Sequence, residues 1–364
     1  MSDAGNGVPP PPGWQPPPPP PPSYTGQPPP GAYPQQSPQG AWAPAPGMLG
    51  AAHKPGAMPL RPLTLGDMYD AAFRIIRFNP KATVGSAALA AAVAMAIPVI
   101  VTAVLTATMS VSLDGNGTAE ESSTVGIIGT VGSLGLGLVL SSFGTILVTG
   151  MIAHVTAAAA VGRRLTLGEA WAATHGKRWR LVGLAFVLGL STVVLVAGYV
   201  LLTVLVVVVA GDSTALVVIW AVLSGPAGIC LLIWFWVRVY YLPVPALMLE
   251  QFGIFGAIGR GFRLTRKQFW RTFGIALLTF VVGLIAGGMI GTPIGIIGQI
   301  TTFVVGAQYA LLVLVITQAL SQVVSAAFVT PFTASVTSLQ YLDHRMRKEA
   351  YDVELMQQAG ITAS

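Results

Sequence analysis

"PLRPLTLGDMYDAAFRIIRFNPKATVG" runs from Pro59 to Gly85, and further along the chain Gly162 to Gly183 reads "GRRLTLGEAWAATHGKRWRLVG". Each stretch writes Thr-Leu-Gly-acid, a short mixed segment, a basic cluster and then a long apolar run. Thr64 and Thr166 precede Asp67 and Glu169 by three residues, the capping-box spacing. The threonine hydroxyl accepts from the third amide, and the acid reaches back to the cap N–H. Both motifs therefore start helices. After Thr64, the residues Leu65, Met68, Tyr69, Ala72, Phe73 and Ile76 follow a helical period. Asp67, Asp70, Arg74 and Arg77 form the opposite stripe, with Asp70 and Arg74 at i,i+4 spacing. Asn79-Pro80 ends the pattern. A helix this short and this charged does not cross a bilayer; it is predicted to lie along the interface.

A third, degenerate copy covers Glu250 to Gly274, with Arg260, Arg263, Lys267 and Arg271 as its polar stripe and Phe255, Ile258, Phe262 and Phe269 elsewhere around it. Each copy precedes two apolar spans, at 83–110, 125–153, 182–210, 215–237, 273–292 and 303–330. In each pair the second apolar helix outruns the bilayer, as in Val125–Val161, Ala215–Leu249 and Phe303–Leu342. The loop between the fifth and sixth spans is read at "TPIGIIGQITT", with Pro293 as the breaker. Thr302–Gln340 has the length for two spans but no turn chemistry in its middle, so one long helix is expected. The fold class is an all-α polytopic membrane protein. It has about six transmembrane helices in three repeats of interfacial helix plus two spans.

Composition agrees. Of 364 residues, 53% are hydrophobic and only 9% charged, against about 25% charged in an ordinary soluble domain. All 19 Lys and Arg residues fall on one side of the six-span layout. The opposite loops hold Asp114, Glu120, Glu121 and Asp212 instead. Basic residues in short loops mark the cytoplasmic side, so a multi-pass cell-membrane protein with both termini cytoplasmic is expected. Residues 1–59 contain 20 of the 28 prolines, including Pro16–Pro22. Such a segment is predicted to be a disordered cytoplasmic tail with polyproline II character. Trp14, Tyr24, Tyr33 and Trp42 recur along it, as in a tail that docks on a protein partner or self-associates, or in a solvated spacer carrying a few aromatic residues. The membrane domain is set at 60–345, with 346–364 as a short cytoplasmic tail.

The chemistry of the spans is sparse. No ionisable residue lies at a span centre, while His154, Arg238 and Glu250 sit near the basic ends. Trp234, Trp236, Tyr240 and Tyr241 around Arg238 fit an interfacial aromatic belt. The single cysteine, Cys230, is read as a small buried hydrophobe. His53, His154, His175 and His344 show no metal-ligand spacing, and no phosphate-binding glycine loop or nucleophile elbow appears. Gly283, Gly287 and Gly291 repeat every four residues, a small-xxx-small face for helix packing within the chain or for a homodimer.

Three stretches together resemble a known family. The Pro59–Gly85 segment after a Pro/Gly-rich tail, "VYYLPVPALMLEQFGIFGAIGRGFRLTRKQFWRTFGIALL" and "LQYLDHRMRKEAYDVEL" are similar to actinobacterial members of the glycerophosphoryl diester phosphodiesterase membrane-domain family. The resemblance covers residues 59–356. Some relatives fuse this membrane domain to a phosphodiesterase barrel, which needs about 250 residues. Six spans leave no room for one here, and His344 is followed by Arg345 and Met346 rather than by a catalytic motif.

The expected function is a non-enzymatic membrane scaffold or accessory protein, without cofactor, metal or nucleic acid. Its basic face would engage anionic lipid head groups or partner proteins. The candidate head-group contacts are Arg74, Arg77, Arg163, Arg164, Arg238, Arg260, Arg263, Lys267 and Arg271. The alternative is a permease-like transporter of a small or lipidic substrate.

Overall fold

A computed structural model describes residues 56–113, 119–211, 213–358 and 360. The proline-rich tail and its four aromatic residues, with Asp114 and Asp212, lie outside the described residues. Eleven α-helices occupy the rest: α1 (Leu65–Phe78), α2 (Ser86–Leu113), α3 (Ala119–Ala160), α4 (Leu167–Ala173), α5 (Arg178–Ala210), α6 (Thr214–Phe235), α7 (Pro243–Leu249), α8 (Ile254–Thr265), α9 (Phe269–Thr302), α10 (Ala307–Glu349) and α11 (Tyr351–Gln358). Short π-helical turns at Lys81–Gly85 and Trp236–Tyr240 lead into α2 and out of α6. Six helical stretches are long and apolar enough to cross a membrane. The chain is a multi-pass helical membrane protein. Its repeat unit is a short amphipathic helix (α1, α4, α8) followed by two spans (α2–α3, α5–α6, α9–α10).

Both capping boxes form. Thr64 accepts from the Asp67 amide at 3.2 Å, and the Thr64 amide donates to the Asp67 carboxylate at 3.1 Å. In the second copy the Thr166 amide donates to Glu169 at 2.7 Å. The exposed Glu169 carboxyl is held below its usual range, first by that backbone donor and then by the Thr166 hydroxyl. The third copy starts on Gly253, which has no side chain to cap with. The α1 stripe divides into two apolar faces. Met68, Ala71, Ala72 and Ile75 are buried, whereas Leu65, Phe73 and Phe78 are exposed. One face meets the bundle and the other is exposed.

Helix α10 is the hub of the bundle. It packs along α9, α2 and α3 and touches α1. Against α9 it presents Ser321, Ser325 and Val329, and these seat on the glycine stripe. Ser321 and Ser325 donate to the carbonyls of Gly291 and Gly287 at 2.9 and 3.0 Å. A Cβ on Gly291 would stand 2.6 Å from both serine hydroxyl oxygens. The stripe is therefore occupied inside the chain by Ser321, Ser325 and Val329. Small residues let two backbones approach in lipid, where apolar side chains alone give no preference for a protein neighbour.

Several sequence expectations move. Pro293 does not break the fifth span: α9 runs through it to Thr302, and the turn falls at residues 303–306. Pro98, Pro226 and Pro331 also lie inside helices. In a bundle, neighbouring helices and hydroxyl side chains tolerate the lost N–H. The expected long helix Ala215–Leu249 is interrupted by the π turn and a bend at 241–242, before Pro243 opens α7. Cys230 is exposed on α6 rather than buried, because that helix faces lipid and not protein. At the N-terminus the described residues begin inside the expected tail, at Gly56. Ala57, Met58 and Leu60 are buried, and the Ala57 amide donates to the Ala159 carbonyl at 2.8 Å. At the C-terminus α10 continues through Glu349, and α11 folds back to bury Leu355.

Candidate functional site

The basic end of the bundle carries a layer of short helices, and the carboxylates there are shared among several arginines. Asp343 on α10 is fully buried. It accepts from the Leu63 amide at 2.7 Å, from Arg347 at 3.0 Å and from Arg271. Arg271 and Arg347 then both donate to the Leu63 carbonyl, at 2.8 and 3.0 Å. The segment just before α1 is thus strapped to α9 and α10 through the backbone of one residue, Leu63. His344, next in sequence, bridges Thr272 at 2.9 Å and Gln268 at 2.7 Å.

A second hub centres on Glu250. Arg260 reaches it at 3.0 Å, Arg345 at 3.3 Å, and the Tyr341 hydroxyl also donates to it. Glu349 takes the other side of Arg260 at 2.5 Å and accepts from Arg345 at 3.2 Å. Burial alone would lower the Arg260 pKa, but its bonds to Glu349 and Glu250 outweigh that and raise it above the ordinary guanidinium value. Arg345 stacks 3.7 Å over the Tyr351 ring, joining α11 to the network. Lys348 caps the end of α8 through the carbonyls of Arg263 and Arg266, at 3.0 and 2.8 Å. Lys177 does the same for α7 through the carbonyls of Met248 and Glu250, at 2.7 and 3.0 Å; burial, then the nearby Arg180, lowers its pKa.

These contacts re-sort the candidate head-group residues. Arg260 and Arg271 pair with carboxylates inside the chain, Arg260 with Glu250 and Glu349 and Arg271 with Asp343, so they help hold the fold. The polar stripe assigned to the third copy does not exist as one stripe. Helix α8 ends at Thr265, Lys267 follows with a left-handed φ of 67°, and Arg271 belongs to α9. Arg263 and Lys267 remain exposed. Arg238 lies 4.9 Å over the Phe262 ring and donates to the Phe262 carbonyl at 3.4 Å.

Four of the candidates meet at another corner. Arg74 and Arg77 on α1 and Arg164 after α3 line a crevice of about 500 Å³ with Asp70, Phe73 and Phe78, and Arg163 lies exposed beside Arg164. Arg74 pairs with Asp70 at 3.2 Å. Arg164 sits 4.8 Å over the Phe78 ring, and Arg77 is exposed. Three guanidinium groups therefore face one carboxylate, beside two exposed phenylalanines. The residue that assembles this corner is Asn79, whose buried side chain accepts from the Leu165 amide at 3.1 Å. The sequence reading treated Asn79 only as a helix terminator; its partner lies 86 positions away, and local spacing carries no signal for such a bond.

Among the described residues no three His, Cys, Asp or Glu side chains gather as a metal site. No family model, curated protein or solved structure matches this chain. The functional reading therefore rests on the chain's own residues.

Proposed function

We propose that the protein is a non-enzymatic scaffold or accessory protein of the cell membrane, with both termini cytoplasmic, whose basic face engages anionic lipid head groups. The family resemblance in the three quoted stretches accords with this reading. The observation that carries it is the Arg74–Arg77–Arg164 crevice. Its arginines lie at the end of the bundle where the basic residues collect, and Phe73 and Phe78 flank them at the level where aromatic rings settle into the interface. A planar guanidinium offers a donor fork to phosphate oxygens, and anionic lipid attracts each such residue by about 1 kcal/mol near the surface.

The test replaces Arg77 and Arg164 with Gln together and measures anionic lipid copurifying with the protein in mild detergent. The expected result is a clear loss of anionic lipid with unchanged insertion, because the Asp343 and Glu250 hubs are untouched. The same replacement of Arg263 and Lys267 serves as a charge-matched control. Equal lipid content in both variants and the parent would end the head-group reading.

A further inference from the structure

A second feature lies at hydrocarbon depth, away from the arginine crevice. Helices α3, α5, α6 and α9 enclose a cavity of about 920 Å³ that opens sideways between them. Its walls are apolar side chains such as Val139, Leu190, Val193, Leu277 and Phe280, and no charged side chain lines it. Several of these residues are exposed and continue the lipid-facing surface of the spans. Along α5 the cavity runs from Ala185 to Val193, which is about 12 Å at the helical rise. That is close to one leaflet, since the whole hydrocarbon core is about 30 Å thick. Trp236 and Tyr240 line the end nearest the basic layer, where amphipathic rings meet the head groups.

We propose that this cavity holds one acyl chain of a lipid from the leaflet on the basic side. Water does not suit it. A buried water needs two to four polar partners; the lining offers only Ser142, Thr192, Trp236 and Tyr240 among its apolar side chains, and the Thr192 hydroxyl is already bonded to the Leu188 carbonyl at 2.8 Å. An empty cavity would forfeit the dispersion contacts of its whole lining. Hydrocarbon from the adjoining leaflet supplies them, with no polar group to desolvate. Gly189 sharpens the case. It lines the cavity in the middle of a helix, where glycine costs up to about 1 kcal/mol relative to alanine. A Cβ there would meet nothing within 4 Å. Helix packing does not require this glycine, and its effect is to leave the cavity open. The proposal does not rest on the arginine crevice.

The full chain in bilayer discs containing phosphatidylglycerol with a diazirine in one acyl chain provides the test. Photocrosslinks are expected to concentrate in Ala185–Val193 and Leu232–Tyr240 over Val196–Val209, where α5 is as openly exposed. Native mass spectrometry after detergent exchange is expected to show one retained lipid. Gly189→Leu projects a side chain into the middle of the cavity and is expected to weaken both signals, and Thr192→Phe does the same from the next turn should the first variant fail to fold. Gly198→Leu, on the same helix but off the cavity and equally free of neighbours, leaves both unchanged. Crosslinks spread evenly along Ala185–Val209, with no retained lipid, would reduce the contact to ordinary annular lipid and overturn the proposal. So would a native mass spectrum showing a dimer without retained lipid, which would assign the cavity to a second copy.

Discussion

Tyr341, Leu342, Asp343 and His344 are fully buried at the basic end of α10, whereas Val208 and Val209 at the far end of α5 are 72% and 77% exposed. Both regions are helical, and both belong to helices read from the sequence as spans. The most hydrophobic window of α3 is 56% buried and those of α5 and α6 are 6% buried. Helix α5 touches α3 about as much as it touches its hairpin partner α6, with lighter contacts to α7 and α8. The difference follows from the solvent each end meets. At the basic end, interfacial water makes burial of Met58, Leu63 and Met68 favourable, and shared carboxylates fix how the short helices meet. In hydrocarbon, a valine gains nothing by leaving lipid for protein, so α5 and α6 need no partner on most of their surface.

The comparison breaks first at Asp343. Asp343→Ala leaves Arg271 and Arg347 without their carboxylate and the Leu63 amide without its acceptor. Removing one member of a buried charge network costs about 3–5 kcal/mol. The expected outcome is a large fall in thermal stability in detergent, with proteolysis opening near Leu63. Leu201→Ala on the hairpin, 69% exposed, is expected to change stability by about 0.5 kcal/mol or less. Similar losses at the two sites would show that the hairpin is as tightly held as the base.

A middle-sized effect is expected at the α9–α10 contact. Gly291→Leu drives a side chain into Ser321 and Ser325, and overpacking of this kind costs about 1–3 kcal/mol. Gly198→Leu on α5 meets no neighbour and is expected to be neutral. Thermal melts of the pair, made in parallel, check this. A neutral Gly291→Leu would mean that α10 slides along α9 without penalty.

The smallest effect sharpens the picture at α4. The Glu169 carboxyl has its folded pKa lowered from 4.5. The ionised cap therefore contributes stability above the unfolded value, and that contribution is lost as pH falls through the lower folded value. Protection of the Leu167–Ala173 amides, with the intrinsic pH dependence of exchange divided out, is expected to fall on acidification below about pH 4.5 in the parent and to be nearly independent of pH there in Glu169→Gln. Parallel pH profiles in the two proteins would remove Glu169 from the cap.

Much of this was legible in one dimension. Thr64, Asp67, Thr166 and Glu169 state their capping boxes within four residues, and the apolar runs state six spans by length alone. Other features were not legible. The role of Arg271 depended on Asp343, 72 positions away, and that of Arg260 on Glu349, 89 positions away. A basic residue in a loop looks alike in sequence whether it faces a phosphate or a buried carboxylate. Pro293 was read by its behaviour in water, where it ends helices, rather than in a bundle, where it is accommodated.

The sequence by itself determined the helical class, the span count and the threefold repeat, because those depend on local hydrogen bonding, hydropathy and bilayer thickness. Only the tertiary structure decided which arginines hold the fold and which stay at the surface, that the glycine stripe faces α10, and that a cavity opens beside Gly189. Those outcomes depend on which distant side chain arrives within about 3 Å of a donor, and residue order along one chain does not encode that distance locally.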